Sequence, residues 1–312
     1  MTSHVAFSTP AQAPRWKRLL VYSPPARIAI FCALTLALVM GFYWVLRIAG
    51  YSPKGLPQGV PGIVQYVTLV TASVVSYLFL VRVIEKRNPV EFGIRSAPRN
   101  FSLGAVSGAA LMTIVVGLMW IAGSYSIARV APDIVWWPAL LTAGIGAAVF
   151  EEVLFRGVIY RIVEEGLGTW AALLVSSLFF GGVHLVNPGA YLWGAVAIAI
   201  EAGLLFGMLY NVTRSLWLCI GLHMGWNFTQ GTVWGVPVSG SAGDSFFVSL
   251  RSGPEWLTGG TWGAEGSLLA VVVCLVATLA LARLALRQGT IVKRKRAPAP
   301  VVDVGLVAPG NA

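Results

Sequence analysis

Glu151 and Glu152 stand side by side in GIGAAVFEEVLFR (144–156), an otherwise apolar run, and Arg156 follows one turn later. An acid at this depth in an apolar segment is expensive, so its retention points to function. Glu152 and Arg156 are four residues apart on a helix, in the favoured acid-before-base order, and should pair. Glu151 projects about 100° away and gains no such local partner. An unpaired carboxylate among apolar groups favours its neutral form and can serve as a base near neutral pH. Interhelical salt links are the competing reading of the same residues.

Three further sites break the apolar pattern. In FFGGVHLVN, Phe180 and His184 share a helix face, and Gly181 and Gly182 would let a neighbour approach closely. In GLHMGWNF, His223 and Asn227 also lie at i and i+4, beside the small-residue strip Gly221/Gly225. Glu201, followed by GLLFG (203–207), sits mid-way along another apolar run, where pairing with an arginine is the favoured expectation. Alone, each histidine reads as an interhelical hydrogen-bonding residue. Together, Glu151, His184, His223 and Asn227 are types that activate water and stabilise an oxyanion. No GxSxG elbow is present, and no cysteine lies beside a motif, so serine and cysteine mechanisms fit worse.

The elements that must hold these residues are membrane helices. The 312-residue chain is 57% hydrophobic and 11% charged, with mean hydropathy +0.77. Soluble chains carry about 25% charged residues. Apolar runs near membrane-spanning length recur, and helices satisfy their own backbone in lipid. The pattern predicts an all-α, polytopic bundle of about eight spans around a polar intramembrane cavity: 28–46, 63–82, 101–123, 137–158, 169–187, 190–211, 214–233 and 267–286. Residues 1–26 read as a mobile basic arm and 289–312 as a disordered basic tail, leaving 27–288 as one domain. The arm is long for a removed signal peptide. No internal repeat of the transporter kind is apparent. The loop 234–266, rich in Gly, Ser and Trp, either caps the bundle or is flexible. Cys32, Cys219 and Cys274 fall within spans, where small buried apolar roles suit them.

The net charge of +10 does not indicate nucleic acid. With the N-terminus inside, all Lys and Arg except Arg47, Lys54, Arg129 and Arg251 fall on the cytoplasmic side, as the positive-inside rule requires. Both termini are therefore expected in the cytoplasm, with the basic patch Lys293–Arg296 near anionic lipid heads. One inconsistency arises. At about 1.5 Å per residue, Glu151 falls roughly 21 Å from the outer end of its span and His184 roughly 22 Å from the inner end of the next. They would differ in depth by more than about 10 Å in a core of about 30 Å, unless 156–166 extends the fourth helix or lies along the membrane surface.

The ordered set EExxxR (Glu151, Glu152, Arg156), FxxxH (Phe180, His184) and HxxxN (His223, Asn227), each on its own span, resembles the CAAX-protease and bacteriocin-processing family. These are intramembrane endopeptidases of the type II CAAX prenyl endopeptidase kind. The likeness is confined to a core of about 137–233. It implies Glu151 as general base, His184 as its partner in activating water, and His223 and Asn227 as oxyanion donors. Glu152 and Arg156 would fix the geometry, and Phe180 would pack beside His184. The implied substrate is a membrane-embedded or lipidated peptide. The likeness leans toward metal-free glutamate chemistry; if zinc were used, Glu151, His184 and His223 would be its ligands. Two readings of other classes stand beside it: a transporter relaying protons through Glu151, Glu201 and the histidines, and a non-catalytic immunity or scaffold protein. The last residues, Pro309 to Ala312, carry no prenylation motif.

Overall fold

In the computed structural model, residues 6–52, 54, 56 and 59–294 are described; His4, the end of the basic patch and the rest of the tail lie outside them. Seven helices are long and apolar enough to cross a membrane: α1 Pro24–Ile48, α2 Val60–Ile84, α3 Val90–Ile121, α4 Trp137–Leu167, α5 Thr169–Val186, α6 Leu192–Thr213 and α8 Leu268–Gln288. The remaining predicted span is also a helix, α7, running Leu216–Phe228 and continuing through Thr229–Val233. It is absent from the seven because its burden of His223, Asn227, Thr229, Gln230 and Thr232 makes it too polar. Its surroundings explain how it tolerates them: most of α7 is buried against other helices, so protein rather than lipid meets its polar groups.

The tightest packing is between α3 and α7. A Cβ on Gly104 would stand 2.2 Å from the Leu218 carbonyl oxygen, and one on Gly221 would stand 2.2 Å from that of Phe101. Only hydrogen fits at these crossings, so the two backbones touch, as small-residue strips allow in membranes. On α5, Gly181 meets α6 in the same way, with a hypothetical Cβ 2.3 Å from the Ala195 oxygen, whereas Gly182 faces open space.

α1 buries only Arg27, Phe31 and Thr35. The rest of the helix presents an apolar outer face that includes exposed Leu36, Met40 and Trp44. Cys32 lies on that face and is exposed, contrary to its expected burial; Cys219 and Cys274 are buried.

One end of the bundle is bound by charge. Arg27 of α1 pairs with Glu85 just after α2 at 2.8 Å and with Glu165 of α4 at 2.6 Å. Arg161 bridges the same two acids at 2.9 and 2.8 Å. Arg87 joins Glu85 to Glu91, and Tyr77 donates to Glu91. Beside this network Glu164 receives Arg214 at 2.5 Å, Asn211 at 2.9 Å and Thr169 at 2.8 Å. Within the N-terminal arm, Phe7 is buried, its N–H donates to Glu165, and its ring lies under Arg27. At the start of the tail, the Thr169 N–H donates to the Val292 carbonyl oxygen, and the Val292 N–H donates to Thr169 Oγ1.

The depth problem disappears in this arrangement. α4 does not stop at 158 but continues to Leu167, and α5 turns back at Thr169. Counted from that hairpin at about 1.5 Å per residue, Glu151 lies about 24 Å up one arm and His184 about 22 Å up the other.

The opposite end is closed by the chain between α7 and α8. Its strand β2, Phe247–Arg251, pairs antiparallel with β1, Tyr125–Val130, with Tyr125 opposite Arg251. Trp262 is fully buried against Tyr191 and Gly194. Asn187 donates to Ser239 and Trp193 to Gly266. The segment is thus a fixed cap rather than a free loop.

Candidate active site

Beneath the cap lies a cavity of ≈ 600 Å³, whose walls include Glu151, His184, His223 and Asn227. Three helices deliver these four side chains. In α4, π-helical turns at Leu140–Gly146 and Val153–Tyr160 flank the short α-helical stretch Ala147–Glu152. Such turns insert a residue and re-aim those beside them, and they concentrate at functional sites. α5 delivers His184 as the first residue of the 3₁₀ turn His184–Val186, which follows its α-helical part Thr169–Val183. α7 supplies His223 and Asn227 from consecutive turns.

The two glutamates occupy different environments. Glu152 is fully buried and Arg156 nearly so; the pair forms at 2.8 Å. Arg156 also donates to the carbonyl of Ala202 at 2.6 Å and lies over the rings of Phe180 and Phe206. Neither residue lines the cavity. Glu151 does, with its side chain 21% exposed. Its nearest basic group is His223, with Nε2 3.9 Å from Glu151 Oε2.

The imidazoles are oriented by fixed partners. His223 Nδ1 lies 3.0 Å from Glu152 Oε1. Glu152 Oε1, which already accepts from Arg156 Nη1, accepts there too, so Nδ1 carries the proton. His184 Nδ1 lies 2.7 Å from the carbonyl oxygen of Phe180, which also can only accept. In neutral His184 the Nε2 is therefore a free acceptor, suited to a water proton. Asn227 uses one amide hydrogen on the Ala143 carbonyl at 3.0 Å, leaving a second hydrogen available.

The cavity has more walls than the fourth, fifth and seventh helices expected from the motifs. α2 contributes Tyr66, α8 contributes Cys274, and the cap contributes Ser239, Asp244 and Glu265. α6 contributes Glu201 from a third π-helical turn, Ala199–Leu204. Glu201 does not make the expected arginine pair: it is 3% exposed, and neither carboxylate oxygen has a partner among the described residues. The arginine that reaches this region, Arg156, is taken by Glu152 and the α6 backbone. Glu265 was not anticipated. It accepts from Ser239 N at 2.7 Å, Ser239 Oγ at 2.9 Å and Trp226 Nε1 at 3.2 Å. Burial pushes its carboxyl above the ordinary value, against the opposing effects of Ser239, His184 and Trp226. It lies in a stretch rich in Gly and Ser, where a single acid carries no periodic signal.

Among the described residues no three His, Cys, Asp or Glu side chains are grouped to hold an ion. The nitrogens that would ligate from Nδ1 are already given to Glu152 and to Phe180 O.

Residues 133–229 match the family described as Type II CAAX prenyl endopeptidase Rce1-like. Over that stretch the chain is similar to this family. The matched segment starts and ends within about four residues of the core expected from the motifs, and it contains all three of them. The same chain is 29% identical over 85 residues to the Bacillus subtilis (strain 168) protein named "Putative membrane peptidase YdiL". That match covers 27% of this chain and 32% of the Bacillus protein, so the chain aligns with about a third of that curated relative's length. The similarity and the seven apolar helices both support an integral membrane protein.

Proposed function

We propose that the chain is an intramembrane endopeptidase that hydrolyses a peptide bond of a membrane-embedded or lipidated peptide by directly activated water. One observation carries this reading: Glu151, His184, His223 and Asn227, separated by up to about 77 residues in sequence, line one cavity at one level of the bundle.

Water between Glu151 and His184 Nε2 would lose its proton to the carboxylate and attack the carbonyl carbon. The acyl oxygen then gains charge. Asn227, through its second amide hydrogen, is one donor for it. His223 is the other. Because Nδ1 is committed to Glu152, donation from Nε2 requires the ring to carry both protons, and Glu151 and Glu152 flank that cation. Collapse of the tetrahedral intermediate expels the amine, which takes its proton from the carboxyl of Glu151. No covalent enzyme intermediate is required. Glu152 and Arg156 do not touch the substrate in this scheme; they hold the His223 ring. The scheme uses no metal.

We place both termini in the cytoplasm, on the distribution of Lys and Arg. The charged end of the bundle then faces the cytoplasm, and the cap faces the other side.

The test compares membrane peptides from cells producing the chain with those from cells producing Glu151→Ala, analysed for new cleavage ends. New ends that depend on Glu151 are expected. An identical set of ends from both cells, at equal protein levels, rules the reading out.

A further inference from the structure

The cavity is acidic in a basic protein. Glu151, Glu201, Asp244 and Glu265 line it, and among the described residues its lining contains no Lys or Arg, although the chain carries a formal charge of +10. Three of these acids lie outside the water-activating group; Asp244 is exposed, and the other two are buried. Glu265 is 5% exposed and is positioned by its bonds from Ser239 and Trp226. Glu201 is 3% exposed, faces the cavity, and leaves both oxygens unpartnered. A buried carboxylate with no donor is costly, and the cost falls when a cation arrives. Trp226 directly precedes Asn227, so the acidic wall adjoins the proposed oxyanion donors.

We propose that Glu201 and Glu265 form a subsite for a cationic side chain of the substrate, a lysine or arginine close to the bond that is cut. The inference rests on the endopeptidase reading and names its substrate class. A metal ion would supply the same charge, but hard cations demand about six or more oxygen ligands. An ammonium needs three acceptors, and the wall offers two carboxylates in a mainly apolar setting. The aliphatic stem of lysine suits that setting as well.

The experiment uses the full chain in lipid nanodiscs and two leucine-rich peptides of equal length, one with a central lysine and one with norleucine there. Binding is read from the shift in thermal-unfolding midpoint across a peptide titration, and cleavage by mass spectrometry. The native chain should bind the lysine peptide at least about tenfold more tightly, as charge-assisted bonds in a dry site imply. Glu201→Gln and Glu265→Gln, made separately, should each bring the ratio close to one without weakening the norleucine peptide. Either variant suffices if the other does not fold. Equal binding of both peptides by the native chain, or a lysine preference retained in a folded variant, overturns the subsite. Stabilisation by magnesium or zinc chloride alone that matches the lysine peptide and is lost in Glu201→Gln also overturns it, in favour of a metal site. Selective binding with cleavage of neither peptide supports the subsite and counts against the endopeptidase reading. Cleavage of both at equal rates does the reverse.

Discussion

His223 Nδ1 stands 3.0 Å from Glu152 Oε1, so the second of two adjacent glutamates reaches across from α4 to orient a ring on α7. The first glutamate faces the other nitrogen of the same ring across 3.9 Å. Neighbours in sequence are thereby divided between holding the ring and facing the cavity, and this division makes their substitutions distinguishable.

Glu151→Gln should lower kcat by about 10²–10⁴-fold, the range of a lost general base. Glu151 makes no salt bridge shorter than 3.9 Å, so the thermal-unfolding midpoint should stay close to that of the native chain. Peptide turnover and differential scanning fluorimetry on one preparation check both. Full turnover would remove Glu151 from the mechanism.

Glu152→Ala should damage stability and activity together. It leaves Arg156, 1% exposed, without its carboxylate, and breaking a buried pair costs about 3–5 kcal/mol. His223 also loses its anchor, so kcat should fall with little change in KM. A variant of native stability would show that the Arg156 bond to the Ala202 carbonyl suffices.

Asn227→Ala should reduce kcat by about 10²–10³-fold, as expected for one oxyanion donor, with modest change in KM. A rise in KM at constant kcat would instead place Asn227 in ground-state binding.

Activity should persist in 1,10-phenanthroline and EDTA at concentrations that strip zinc. Loss under chelation, restored by added zinc, would return Glu151, His184 and His223 to the role of ligands.

Stability should fall in acid through Glu85. Burial alone would raise its pKa, but Arg161, Arg87 and Arg27 outweigh it and hold the carboxyl below its ordinary 4.5. A group depressed in the folded state stabilises the fold above its unfolded pKa, and that contribution is lost as pH falls through the folded value. The midpoint in detergent should thus be level from neutral pH to about 5 and fall below it. Glu85→Gln should be less stable at neutral pH and show a shallower acid slope; an identical slope would assign the acid loss to other groups.

Membrane class, the number of helices and the polar residues that line the cavity were legible because lipid imposes strong local rules. A helix must be apolar, so Glu151, His184, His223 and Asn227 stand out against their neighbours without any knowledge of contacts. The Glu152–Arg156 pair was legible for the same local reason, since i and i+4 meet on any helix. Contacts between distant segments were not. Where α4 ends was hidden, because Arg161, Glu164 and Glu165 look like the close of a span. They are buried only because Arg27, Glu85 and Arg214 arrive from other segments to neutralise them. The isolation of Glu201 and the arrival of Glu265 under the cap had no local signal. Hydropathy reports what each residue prefers, whereas pairing and cavity shape depend on which segments meet, and that is decided by close packing of glycine-bearing helices such as α3 against α7.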